Sequence, residues 1–245
     1  SGNVNLTIGG KTYTAAKTEE LPVDANGYLR GARSTGTSET WPGIHEKMYA
    51  RFLGIAQDPD NPINPDLCNK MPKDGNALTT LADITAWTPV SEVSGNYKKI
   101  FDNLTTDSTR PDNLDSKTRY PVVAWTPKTL TGIPTTGYAV MPYHAYAVLG
   151  TYTVDTTKYI ILRNPLDSAV KPNTGIPMIT SGKWTYKDRC YRRNASEVTS
   201  GYPGGIPPQK DLSFYITAQG NLSQGLFALE VGAFSKYFER FGWLT

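Results

Sequence analysis

The sequence predicts an α+β fold: an antiparallel β-sheet or barrel with one main helix and a few short flanking helices. Three observations lead there. Runs of alternating or densely apolar residues, rich in Val, Ile, Tyr and Thr, recur with short turn-like links, and consecutive strands linked in this way pair antiparallel. One stretch alone, residues 41–53, carries apolar residues at sustained helical spacing. Finally, 22 glycines and 18 prolines among 245 residues supply many loops and leave room for few long helices.

The elements follow in chain order. Residues 3–14 alternate around Val4, Leu6 and Ile8 with Gly9-Gly10 between the arms, which is a hairpin pattern. Residues 20–24 are extended and are closed by the turn residues Ala25, Asn26 and Gly27; a short strand over 29–32 comes next. In the main helix, Trp41, Ile44, Met48 and Phe52 form a stripe, with Tyr49 and Leu53 beside it. Pro42 suits its first turn and Gly54 its stop. Residues 57–76 form a long Pro- and Asp-rich loop. Short helices are predicted over 78–84 and 97–104, and a strand over 120–125. Two central strands over 138–152 and 158–163 turn at Val154, Asp155 and Thr156. A second irregular region runs to Gln209, a final strand pair covers 212–217 and 226–231, and a short helix over 234–241 closes the chain. The expectation is a single domain over 3–245, with 57–76 and 167–209 as loop-rich insertions.

Composition narrows the function classes. The net charge of +3 is small, and no clustered basic run of the nucleic-acid-binding kind occurs. No apolar run approaches the ~20 residues that span a bilayer, so no membrane span is expected. Two cysteines, Cys68 and Cys190, leave pairing open and do not fix a redox compartment. Four Asn-x-Ser/Thr matches, at Asn5, Asn103, Asn194 and Asn221, are what a chain this rich in Asn, Ser and Thr produces by chance.

The chemistry-bearing residues lie in the central hairpin. His144 is expected mid-strand, in the apolar and aromatic run Tyr143-His144-Ala145-Tyr146. Asn164 ends the next strand, just before Pro165. Taken singly, His144 fits a core histidine satisfied by a backbone carbonyl, and Asn164 fits a turn residue. Together, on adjacent arms of one hairpin, they fit a base and its orienter: Asn164 accepts the imidazole N–H and holds one tautomer, and the other ring nitrogen is left to accept a thiol proton. Asparagine adds no charge, and the thiolate–imidazolium pair can itself supply the low cysteine pKa.

Several blocks resemble the second protease-core subdomain of the calpains. The extended segment Glu20-Leu21-Pro22-Val23-Asp24 resembles its opening, and Trp41-Pro42-Gly43-Ile44-His45-Glu46-Lys47-Met48-Tyr49-Ala50-Arg51 its Trp-led helix. His144-Ala145-Tyr146 is similar to its His-Ala-Tyr strand, and Leu162-Arg163-Asn164-Pro165 to its Leu-Arg-Asn-Pro corner. Gly225 to Val231, with Phe234, Tyr237 and Phe238, resembles its closing strand and helix. These blocks occur in family order across nearly the whole chain. The resemblance implies a papain-like architecture in which this chain is the β-rich lobe carrying the catalytic His144 and Asn164. An N-terminal lobe, as partner, would bring the nucleophilic cysteine and the oxyanion-hole glutamine, and a protein or peptide substrate would lie between the lobes. It also implies calcium; the sequence itself requires no cofactor.

The departures from that pattern matter. No Gly-x-Cys-Trp block is present. Cys68 precedes His144 and Asn164 in the family's catalytic order, but it sits in a loop closed by Pro72 rather than at a helix N-terminus. Cys190 lies in a polar loop. Leu166 stands where the family has a tryptophan that shields the His–Asn bond, and Tyr143 stands in place of a glycine. Asp58, Asp60 and Asp66 are the metal candidates, in an oxygen-rich run that lacks the central glycine and terminal glutamate of an EF-hand loop and reads equally as a solvated turn. Three readings result: a partial catalytic core of a cysteine endopeptidase, inactive alone; a degenerate lobe used as a protein-binding module; and an unrelated β-rich enzyme using Cys68.

Overall fold

The computed structural model describes residues 3–8, 10–16, 76–105, 116–166, 170–187 and 209–245. The expected elements at 20–24, 29–32 and 41–53, most of the 57–76 loop, and Cys68, Cys190, His45, Asp58, Asp60 and Asp66 lie outside them. The chain divides into two compact units, Ser1–Thr88 and Pro89–Thr245.

In the first unit, β1 (Asn3–Ile8) and β2 (Lys11–Ala16) form the expected antiparallel hairpin, ending in the pair Ile8↔Lys11. Gly10 takes φ +77° there, a conformation glycine adopts without steric cost. Helix α1 (Ala77–Thr85) matches the expected short helix. The Asn76 carboxamide oxygen caps it by accepting the N–H groups of Leu78 at 2.9 Å and Thr79 at 3.4 Å. Ala86 ends it in the left-handed region.

The second unit is built on an antiparallel sheet. Its strands among the described residues are β3 (Pro89–Val93), β4 (Ser116–Trp125), β5 (Ala145–Val154), β6 (Thr157–Arg163), β7 (Met178–Ile179), β10 (Leu226–Glu230) and β11 (Arg240–Leu244). Their spatial order is β3-β11-β4-β5-β6-β10-β7, and every pairing is antiparallel. The sheet is open, with β3 and β7 as edges, so the barrel alternative is not realised among the described residues. A separate ribbon joins β8 (Gly182–Lys187) to β9 (Gln209–Phe214). A short helix α2 (Lys98–Asp102) follows a 3-10 turn over Ser94–Asn96, and α3 (Val231–Tyr237) follows β10.

Burial explains this arrangement. Ile160 and Leu162 of β6 pack on one face of the sheet with Val122, Tyr146, Val148, Phe227, Phe234 and Phe241. Ile161 packs on the other face with Trp184 and Phe214 of the β8–β9 ribbon. Covered on both sides, β6 is a continuous apolar run rather than an alternating one. In β5 the pairing slips between Val148 and Gly150. The bulge reverses the alternation, so Tyr146 and Val148 face the first cluster and Tyr152 the second. Pro121 falls in a register shift of β4 between Lys117 and Val122, where a missing N–H costs no ladder bond.

Several expectations are corrected. Residues 138–144 are irregular, and β5 starts only at Ala145. The region 167–209 contains β7 and β8, whose short lengths and flanking turn residues hid them. The segments at 212–217 and 226–231 do not pair with each other: β9 joins β8, while β10 lies between β6 and β7. The helix expected over 234–241 starts and ends earlier, and the chain closes as β11 between β3 and β4. Phe234, Phe238 and Phe241 have helical spacing, but Phe241 and Trp243 alternate as in a strand, and all four enter the same core. The two waiting strand edges decide the matter in favour of β structure.

The bulge at Gly150 admits no side chain: a Cβ there would lie 1.9 Å from the Ser116 carbonyl oxygen and 2.5 Å from Trp184 Cζ2. Gly150→Ala is expected to cost roughly 3 kcal/mol or more, read as a lowered urea midpoint at unchanged m-value. An unaltered midpoint would contradict this close approach of strands and ribbon.

Candidate active site

The β5–β6 hairpin brings the two candidate residues together. Its register pairs Val148 with Leu162 and Ala147 with Arg163. One further step sets Asn164 opposite Tyr146. His144 shares the face of Tyr146 two residues earlier, which makes it the diagonal neighbour of Asn164. The imidazole and the Tyr146 ring meet edge to face at 4.9 Å between centroids.

His144 sits just before β5 rather than mid-strand, because Tyr143 takes φ +54° and interrupts the extended chain. That left-handed geometry costs a non-glycine residue on the order of 1–2 kcal/mol, and surrounding bonds hold it. The Tyr143 N–H donates to the Pro127 carbonyl at 2.8 Å. Thr126, buried at the end of β4, grips the next residue from both sides. Its hydroxyl accepts the His144 N–H at 3.0 Å and donates to the Met141 carbonyl at 2.7 Å, and its own N–H donates to the His144 carbonyl at 3.0 Å.

Asn164 is fully buried and all its side-chain bonds are made. Its NH2 donates to the carbonyls of Tyr138 at 3.3 Å and Ala139 at 3.2 Å. Its oxygen accepts the Leu166 N–H at 2.9 Å and faces His144 Nε2 at 2.9 Å. The amide can point only one way, since reversal would set its oxygen against two carbonyls and its NH2 against the Leu166 N–H. With an acceptor opposite, Nε2 must carry the proton. In the neutral ring, Nδ1 is therefore the basic atom, and it has no hydrogen-bond partner among the described residues.

Burial pushes the imidazole pKa below its ordinary value of 6.5, and the Asn164 hydrogen bond offsets this in part. His144 is thus neutral at pH 7 and able to accept a proton. Burial raises the Tyr146 phenol far above its usual range. It serves as a neutral acceptor for the Met141 N–H at 2.9 Å.

The structure thus unites His144 and Asn164. The other sequence candidates, Cys68, Cys190, Asp58, Asp60 and Asp66, lie outside the described residues. Among the described residues no group of three or more His, Cys, Asp or Glu is placed to hold a metal, and no helix is long and apolar enough to cross a membrane. Leu166 contributes its backbone N–H to the site, and its side chain is 48% exposed; Tyr143 is 56% exposed. Sequence reasoning missed Thr126 and the carbonyls of Tyr138 and Ala139. A threonine before Pro127 carries no signal of its own, and backbone acceptors are invisible in a sequence. No protein-family model and no curated protein matches this chain.

Nitrogen-15 NMR is expected to find neutral His144 protonated at Nε2 and titrating below 6.5. Asn164→Asp should raise that titration by about one unit or more, while setting a carboxylate oxygen against two carbonyls and costing roughly 1–3 kcal/mol of stability. A second outcome follows from linkage. Because the folded pKa is depressed, the unfolded chain binds the proton first, so His144 contributes its full stability above pH 6.5 and loses it as pH falls through 6.5 toward the folded value. Acid titration of stability should therefore be shallower for His144→Gln across that window.

Proposed function

We propose that this chain is the histidine- and asparagine-bearing lobe of a papain-like, calpain-type cysteine endopeptidase, with the nucleophilic thiol on a separate N-terminal lobe. The observation carrying this reading is the 2.9 Å bond from His144 Nε2 to the Asn164 oxygen, made by an amide that can face only one way. It leaves Nδ1 as the base, neutral at physiological pH.

The roles follow from that geometry. Nδ1 takes the thiol proton, and the thiolate attacks the peptide carbonyl carbon. The imidazolium then returns its proton to the leaving amine. In the second half, Nδ1 takes a proton from the water that cleaves the acyl-enzyme. The Asn164 oxygen accepts Nε2–H in both charge states, so the ring keeps its direction through the cycle. A neutral carboxamide does this without adding a charge beside the ring.

A second reading, a non-catalytic lobe that binds protein, is favoured by two exposed side chains beside the pair, Tyr143 and Leu166. An aromatic and an aliphatic group open to solvent suit a protein surface.

The two readings separate in a peptidase assay. The 245-residue chain alone is expected to be inactive. Joined to a cysteine-bearing lobe in its parent polypeptide, it should hydrolyse peptides in a thiol-dependent manner. There, His144→Ala should lower kcat/KM at least ~10³-fold and Asn164→Ala roughly 10–100-fold. Activity that ignores His144→Ala, or no thiol-dependent hydrolysis in the parent, would sink the protease reading. Activity of the lone chain abolished by Cys68→Ala would replace it with the Cys68 enzyme.

A further inference from the structure

The direction of the Asn164 amide is set by two backbone carbonyls, Tyr138 and Ala139, which belong to an irregular segment and not to a strand. Something must hold them in place. Up to Ala139 the segment is tied by main chain: the Lys171 N–H donates to the Gly137 carbonyl at 2.9 Å, and the Ala139 N–H donates to the Lys171 carbonyl at 2.7 Å. The next main-chain tie comes only at Tyr143, whose N–H donates to the Pro127 carbonyl. At Val140 a side chain takes over. The Asn173 carboxamide oxygen accepts the Val140 N–H at 2.7 Å, and its NH2 donates to the Val140 carbonyl at 2.9 Å. This is the pair of bonds a neighbouring strand would have made. Asn173 is only 6% exposed and Val140 is fully buried, so water cannot stand in for either bond.

We infer that Asn173 is a positioning residue for the His144–Asn164 pair: by clamping Val140 it keeps the Tyr138 and Ala139 carbonyls aimed at the Asn164 NH2, and so determines which imidazole nitrogen carries the proton. Its catalytic consequence rests on the proposed role of His144 as base, whereas the positioning is a property of this lobe alone. The residue type follows from the task. Val140 presents one donor and one acceptor side by side, and a carboxamide matches both. Aspartate would face the Val140 carbonyl with a second acceptor, and leucine would leave both backbone groups buried without partners. If the clamp is lost, Val140 and the adjacent carbonyls relax, the Asn164 amide keeps only the Leu166 N–H to distinguish its two ends, and the preference for Nε2–H weakens.

The test is nitrogen-15 NMR of neutral His144 in the intact chain, comparing Asn173→Ala with Trp184→Phe. Trp184 packs on the opposite sheet face, where its Nε1–H donates to the Thr151 carbonyl at 3.0 Å, so its substitution also removes one buried hydrogen bond and trims the core. Asn173→Ala should shift the ratio of Nε2–H to Nδ1–H tautomers toward Nδ1–H by roughly tenfold, the size of one lost hydrogen bond, while Trp184→Phe leaves it unchanged. Asn173→Asp keeps the side-chain size and the bond to the Val140 N–H but repels the Val140 carbonyl; it should shift the ratio in the same direction and serves if the alanine variant does not fold. A wild-type tautomer ratio in a folded Asn173 variant, or an equal shift in Trp184→Phe, overturns the inference. The readout needs no peptidase activity, so failure here and failure of the protease reading are separate results.

Discussion

One buried carboxamide constrains everything around the site. Asn164 has no access to water, so each of its donors and acceptors must find a partner within the fold or cost the stability of an unmade hydrogen bond. Two carbonyls claim its NH2, and one backbone N–H claims part of its oxygen. What remains is a single acceptor direction, and the imidazole of His144 lies along it. Ring orientation, tautomer and the identity of the basic nitrogen then follow without further assumption. An aspartate could not take this place unchanged, because it has no donor for the Tyr138 and Ala139 carbonyls.

The platform beneath the pair is rigid for reasons of packing. β6 is covered on both faces, by the aromatic cluster around Phe227 and Phe234 on one side and by Trp184 and Phe214 of the ribbon on the other. A one-residue slip of the strand that ends at Arg163 would exchange Ile161 with Ile160 and Leu162 between two differently packed faces. The bulge before Gly150 reverses alternation only beyond Val148, away from the site, so the register next to His144 stays regular. The histidine itself is held by Thr126, whose hydroxyl accepts its N–H and whose N–H donates to its carbonyl, and the left-handed Tyr143 just before it is tied to the Pro127 carbonyl.

Much of this was legible in the chain because it is local. Asn3 to Thr14 reads as a hairpin and Asn3 to Ala16 folds as one, the short helix expected over 78–84 forms over Ala77–Thr85, and the dense apolar run at 159–162 is a strand packed on both faces. His144 and Asn164 could be paired from sequence because a short hairpin joins them, but the bulge between Val148 and Gly150 is what places them on one face: the register next to the turn, carried on unbroken, would set Asn164 opposite Ala147. Less legible were elements whose identity depends on distant partners. Arg240 to Leu244 is β structure because β3 and β4 flank it, and Leu226 to Glu230 pairs with β6 and β7 rather than with the strand just before it in sequence.

By itself, the sequence determined the fold class, the hairpin that carries the site, and the two side chains that meet there, since each follows from turn chemistry, alternation and short-range connection. Only the tertiary structure decided that the sheet stays open, that the closing segment is a strand, and that Asn164 faces His144 with its oxygen. Those outcomes depend on long-range pairing and on which backbone carbonyls arrive beside a buried amide, and no residue's identity announces where another segment's main chain will come to rest.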